Sequence, residues 1–202
     1  MKKSSKAVQN SKNLYTAEDS KGNAVDTAAH SRNKKVKIFY PPNETIYVYG
    51  KEEERIARYR TDGEARVIYA RAVLRSLTPA QRFDRSSHQQ TLVVRLFKEM
   101  YPTDEAYEGS HIIAAVFGGL PSAINLLALP RDVNQKSMGN FEKEIQAHLK
   151  EIAKTSARIT VKMEVFITYD HPNSPSPQKL RIEVWDIYRS KRTLWRKRTI
   201  LI

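Results

Sequence analysis

Cysteine is absent from the 202 residues, which rules out a disulfide framework and a thiolate zinc site and leaves the redox compartment open. Histidine is scarce: five are scattered along the chain, too far apart in sequence to announce a dense metal cluster. No apolar run is long enough to span a bilayer, so no membrane contact is expected. The opening Met1-Lys2-Lys3-Ser4-Ser5-Lys6-Ala7 lacks the apolar stretch of a secretory signal, and export would need another device. Acids are outnumbered too: 22 Asp and Glu stand against 35 Lys and Arg, a net charge of +13. Such a surplus attracts polyanions at long range, nucleic acid first among them, with acidic protein and anionic lipid as the alternatives.

Apolar residues make up 40% of the chain, enough at this length for one sizeable core, so a single domain over residues 36–202 is expected. Residues 1–35 are rich in Lys, Ser, Asn and Ala and poor in large apolar side chains. They are expected to form a flexible basic leader, because too little apolar surface is available to offset the entropy of ordering. The β-branched and aromatic runs at 36–40 and 45–49, divided by Pro41-Pro42-Asn43, predict short strands, and residues 66–74 predict another after the turn signal Thr61-Asp62-Gly63-Glu64. Behind Ser86-Ser87, the helical spacing of Leu92, Val93, Leu96, Phe97 and Met100 predicts a helix that buries that stripe. Residues 158–169 and 180–188 alternate apolar with polar, and the proline-rich link between them closes a hairpin. The basic stretch 189–198 interleaves cations with Trp195; it suits a charged final strand and equally a segment lying along phosphates. His30 falls in the expected leader, and His88, His148 and His171 are read as surface, capping or packed histidines.

Residues 108–142 gather the chemistry. Glu108-Gly109-Ser110 reads as a turn, and the apolar run 112–117, closed by Gly118-Gly119, as a short buried strand. His111 then stands at the mouth of a strand pair, with one ring nitrogen toward solvent and the other oriented by an acceptor, which suits a general base near neutral pH. Asp132 is placed to cap a helix starting near Val133, in which Met138, Phe141, Ile145, Leu149 and Ile152 recur at helical spacing. Asn134, Met138 and Glu142 follow at i, i+4 and i+8; at about 100° per residue each step drifts by about 40°, so the amide and the carboxylate lie near one stripe. An amide oxygen is a neutral, hard donor that holds magnesium when waters and a substrate phosphate complete the octahedron.

These residues resemble the DNA/RNA non-specific endonucleases of the His-Me finger (ββα-metal) superfamily, in particular the branch found as bacterial toxin domains. The family's histidine strand usually reads Asp-x-Gly-His, then apolar residues and Phe-Gly-Gly; Glu108-Gly109-Ser110-His111 and Phe117-Gly118-Gly119 stand in those places. Its Asn-Leu pair, a second Asn nine residues on, a bulky residue at +4 and Glu at +8 correspond to Asn125-Leu126, Asn134, Met138 and Glu142. The sequence departs from the pattern with Glu108 for Asp, Ser110 for Gly and Met138 for Trp, and the resemblance spans roughly residues 59–188.

The resemblance implies an α+β fold, an antiparallel sheet with helices, containing a ββα-metal motif at about residues 108–154. It implies His111 as general base, Asn134 as ligand of one Mg2+ or Mn2+ ion, and Glu142 as an acid that holds water beside that ion. Glu108 and Asn125 would support them, Asn125 by bracing the loop. Gln81-Arg82 stands where the family often carries Gln-Arg, so Arg82 would offset charge on the five-coordinate phosphorus. Arg85, Arg131 and Lys136 are the cations expected on substrate phosphates. The implied function is metal-dependent hydrolysis of DNA or RNA with little sequence preference. It would serve as an antibacterial toxin, secreted or delivered into a target cell's cytoplasm and neutralised in the producer by an acidic immunity protein. A basic nucleic-acid-binding module without catalysis would keep the charge yet have no need of His111 and Asn134 at this spacing.

Overall fold

Period-two alternation builds the largest element of the computed structural model, which describes residues 15–32, 35–38, 40–50, 54–77, 87–155, 158–172 and 174–202. Strand β9 (Thr160–Tyr169) buries Val161, Met163, Val165 and Ile167, and β10 (Pro177–Tyr188) answers with Leu180, Ile182 and Val184. The two pair antiparallel as the hairpin that their alternation predicts. Around them lie β1 (Tyr15–Glu18), β4 (Thr45–Gly50), β5 (Arg55–Thr61), β6 (Val67–Val73) and β11 (Lys191–Leu201), in a seven-stranded antiparallel sheet of order β1-β4-β5-β6-β9-β10-β11. The turn between β5 and β6 hangs on Asp62, whose Oδ1 accepts the Glu64 and Arg66 amides, with Ala65 at φ 57° as its left-handed residue.

Helix α2 (Gly139–Lys154) covers one face of this sheet. Phe141, Ile145 and Leu149 recur every fourth residue, so one stripe is buried in the same core as Ile182, Val184 and Ile200. Burying each such side chain contributes about 2 kcal/mol. Polar pins fix the helix in place: Arg198 donates to Glu144 at 2.7 Å, and His148 shares a 2.8 Å hydrogen bond with Asp186 while stacking on Trp195. Trp195 is therefore engaged by a histidine of the same chain, and the basic stretch around it is the final strand.

Two expectations for the first half of the chain need correction. Residues 15–32 lie within the fold rather than in a leader: β1 pairs with β4, β2 (Ala29–Arg32) pairs with β3 (Lys35–Ile38), and Ala17, Thr27 and Ala29 are buried. Backbone pairing with β4 outweighs the polar composition of this segment, a tertiary override of local propensity. In helix α1 (Ser87–Met100), Leu92 and Phe97 are buried and Val93 and Leu96 half-buried, but Met100, at the last turn, is 57% exposed.

Candidate active site

A short strand pair feeds the site. β7 (Tyr107–His111) runs antiparallel to β8 (Leu126–Pro130), with Glu108 opposite Leu129 and His111 opposite Leu126. The strand thus lies over the residues expected to turn, and it stops at His111; the apolar run after it is not a strand. Ile112, Ile113 and Ala114 bend into a 3-10 turn over Ala115–Phe117. The physical reason is Asn125, which is fully buried and acts as a backbone substitute. Its Oδ1 accepts the Ile113 amide at 2.9 Å, its Nδ2 donates to the carbonyls of Ile113 and Leu120, and its own carbonyl accepts the Ile112 amide at 2.8 Å. With both amides and the Ile113 carbonyl satisfied in this way, the segment does not depend on strand pairing for them. Gly119 completes the clamp, since a Cβ there would lie 1.7 Å from the Ile113 carbonyl oxygen.

The chain leaves β8 at Pro130 and turns straight into a helix that is π-helical over Val133–Met138 before α2 begins. Asp132 is already helical in φ and ψ and makes no capping bond, which corrects its assignment as the cap. The π segment also changes the geometry of the Asn134, Met138, Glu142 series. In an α-helix four residues overshoot a full turn by about 40°, whereas the wider π turn falls short of one, so the first step offsets the second. Asn134 and Glu142 are thereby drawn closer to a single line than uniform α geometry would bring them.

Three predicted residues meet. His111, Asn134 and Glu142 line one cleft of about 200 Å3, together with Gln90, Gly109, Ser110 and the 114–116 turn. Glu108 stands beside it and organises the helix start: Oε2 accepts Asn134 Nδ2, and Oε1 accepts Arg131 Nε and Gln135 Nε2, each at 2.9 Å. The Asn134 bond, the largest influence, holds the Glu108 carboxyl below the ordinary carboxylate range against the upward push of burial, with smaller help from Arg131 and Gln135. A carboxylate only accepts, so the Asn134 amide must turn its nitrogen to Glu108 and its oxygen away. The longer side chain at position 108 makes this reach while also holding Arg131.

The other predicted cations divide. Arg131 keeps 61% of its side chain exposed while its Nε is held by Glu108, and Lys136 is exposed on the π-helical segment. Arg82 and Arg85 lie outside the described residues. Gln90 and Gln135 were not picked out by sequence reasoning. Gln90 donates to the Gly109 carbonyl at 2.9 Å and packs so closely that a Cβ on Gly109 would meet its Cβ at 2.7 Å. The nearest sequence signal was Gly109 itself, a strand glycine that marks close approach of another element. Among the described residues no group of three or more His, Cys, Asp or Glu is arranged to hold a metal ion.

An antiparallel strand pair running into a helix, with a histidine at the end of the first strand and an asparagine in the helix start sharing its cleft, defines a ββα finger within an α+β fold. A family model described as DNA/RNA non-specific endonuclease matches residues 42–186, most of the chain, and the protein belongs to that family. It is a nuclease, a hydrolase of nucleic acid. No curated protein matches the chain. A solved structure of Sda1 nuclease with a bound zinc ion is similar at 14% identity and a TM-score of 0.48, covering 67% of this chain and 73% of that one; the zinc is a property of that protein.

Proposed function

We propose that this nuclease is a metal-dependent endonuclease that cuts DNA and RNA phosphodiesters with little regard to sequence, with His111 as general base and Asn134 as ligand of a single divalent cation. One observation carries the reading: Glu108 fixes the Asn134 amide with its oxygen turned away, in a helix start that shares the His111 cleft.

The residues present fit such an ion. A lone neutral amide oxygen, with a carboxylate two turns on and no thiolate or imidazole cluster among the described residues, suits a hard cation that keeps most of its waters, magnesium or manganese before zinc. When bound, the cation would offset negative charge on the phosphate and on the departing oxygen. The chain's own groups do the rest. The imidazole of His111 takes a proton from the attacking water, the new P–O bond forms in line, and the bond to the leaving oxygen breaks. Asn134 holds its oxygen in place through Glu108, and Glu142 accepts hydrogen bonds from water in the cleft. Arg131 and Lys136 meet phosphates, which carry no sequence information. Arg82 and Arg85 are assigned to charge on the reacting phosphorus and to the phosphate backbone.

The net charge of +13 and the resemblance to toxin domains support a wider reading. The protein is delivered into a target cell, acts in its cytoplasm, and is neutralised in the producer by an acidic immunity protein that matches the basic surface.

Plasmid digestion tests the core of this. The chain should cut with magnesium and stop with EDTA, and His111→Ala should lower cleavage by roughly a hundredfold or more at unchanged thermal stability. Undiminished cutting by His111→Ala removes the base assignment; cutting indifferent to EDTA removes the metal. Cytoplasmic expression of the wild type should kill bacteria that tolerate the His111→Ala chain.

A further inference from the structure

The seven-stranded sheet has a second face, opposite the one covered by α2, and its register gathers cations there. Arg58 on β5 lies opposite Arg71 on β6, Arg71 lies opposite Glu164 on β9, and Val73 lies opposite Lys162. A bulge beside Tyr49 brings Arg55 to this face too, where its guanidinium sits 5.2 Å from the centre of the Tyr47 ring. Arg55, Arg58, Arg71 and Lys162 line a cleft of about 180 Å3 with no carboxylate among its described lining residues.

The arrangement continues toward β11, with a vertical sorting of charge. The acids lie deep: the side chains of Glu164 and Glu183 are 9% and 14% exposed. The cations that pair with them stand above, Arg71 at 33%, Arg192 at 40%, Arg181 at 43% and Lys197 at 50%. Solvent therefore meets positive charge. Guanidinium groups sit over rings, Arg192 at 3.7 Å from the Trp185 centroid and Arg181 at 4.0 Å from that of Phe166. The crowding has a cost: burial first, then Arg71, Arg192 and Arg55, press the Lys162 ammonium below its ordinary range. Like charges held this close on an open face are relieved by an external polyanion.

We propose that this face is a second nucleic-acid surface, which grips the phosphate backbone of a long substrate away from the hydrolytic cleft. Nucleic acid is favoured over an acidic protein because the family's substrate is itself the polyanion, and because half-exposed arginines held over aromatic rings suit phosphates and bases together. The inference rests on nucleic acid being the substrate and not on the roles given to His111 or Asn134.

The test is binding. In a His111→Ala background with EDTA, Arg55→Gln/Lys162→Gln is compared with Lys98→Gln/Lys150→Gln, an equal loss of charge on exposed helix positions. The probe is a fluorescent 40-nucleotide DNA, read by anisotropy across a salt series. The sheet-face pair should weaken binding roughly tenfold and lower the salt slope by about two, with melting temperature unchanged, while the helix pair does little. With His111 intact, the sheet-face pair should raise KM on long DNA and leave the rate on a dinucleotide unchanged. Equal loss in both pairs reduces the effect to net charge and overturns the proposal. So does unchanged DNA binding beside lost binding to polyglutamate or to phosphatidylserine vesicles.

Discussion

Glu108 and Glu164 are both carboxylates ringed by donors, and the contrast between them separates alignment from neutralisation. Glu108 collects Asn134, Arg131 and Gln135, three side chains from one helix start. Glu164 collects the Tyr69 hydroxyl at 2.8 Å and, at 3.6 Å, Arg71 from the neighbouring β6, and Arg192 from β11 beyond β10. Two of the Glu108 partners are neutral amides, so what it supplies is direction. Two of the Glu164 partners are cations, so what it supplies is charge balance in a crowded sheet face. Removing the first should free an amide to turn; removing the second should leave arginines repelling each other over a buried gap.

If Asn134 has the ligand role proposed for it, Glu108→Ala should lower cleavage ten- to a hundredfold, the usual cost of losing a group that orients a metal ligand, with a melting temperature within a few degrees of wild type. Glu164→Ala should do the reverse. Breaking a buried ion pair costs several kcal/mol, discounted here to about 2 kcal/mol because its arginines are 33–40% exposed. Turnover of a dinucleotide, too short to reach the sheet face, should not change per folded molecule. Steady-state cleavage and urea unfolding of both variants check the pair of outcomes, and a Glu164→Ala enzyme that is stable but slow would collapse the contrast.

Acid titration offers a finer comparison. Burial alone would raise the Glu164 carboxyl, but Tyr69, Arg192 and Arg71 outweigh it and hold the group below its ordinary value of 4.5; Glu108 is lowered as well. A depressed carboxylate adds stability that is complete above its unfolded pKa and is lost as pH falls through the folded one. The unfolding free energies of wild type and Glu164→Gln should therefore differ most above about pH 5 and converge in acid. The same subtraction for the more exposed Glu108 should give a smaller gap.

How much of this was legible beforehand depends on whether the cause is local. The β9–β10 hairpin and the buried stripe of α2 follow from period-two and near-four spacing, and both are present. The finger motif was recognisable because His111, Asn125, Asn134 and Glu142 keep a fixed spacing through one continuous segment. What escaped depends on distant partners. Strand β1 is too polar to declare itself and exists by pairing with β4, and the run after His111 bends because Asn125 satisfies its backbone from twelve residues away. The π segment has no compositional signature, and the cationic face appears only when β5, β6 and β9 come into register.

The smallest predicted effect concerns a third acid. By sequence Asp132 should cap the helix, and losing such a cap costs about 1 kcal/mol. In the fold it is exposed and already helical, without a capping bond, while the carboxylate that meets this helix start is Glu108, reaching across from β7. Asp132→Ala should therefore cost under about 0.5 kcal/mol, the range of an ordinary surface substitution, and should leave cleavage unchanged. A loss of 1 kcal/mol or more in urea unfolding would return Asp132 to the cap and make Glu108 one of two anions serving that helix end. The assignment of alignment to Glu108 alone would then fail at its most local point.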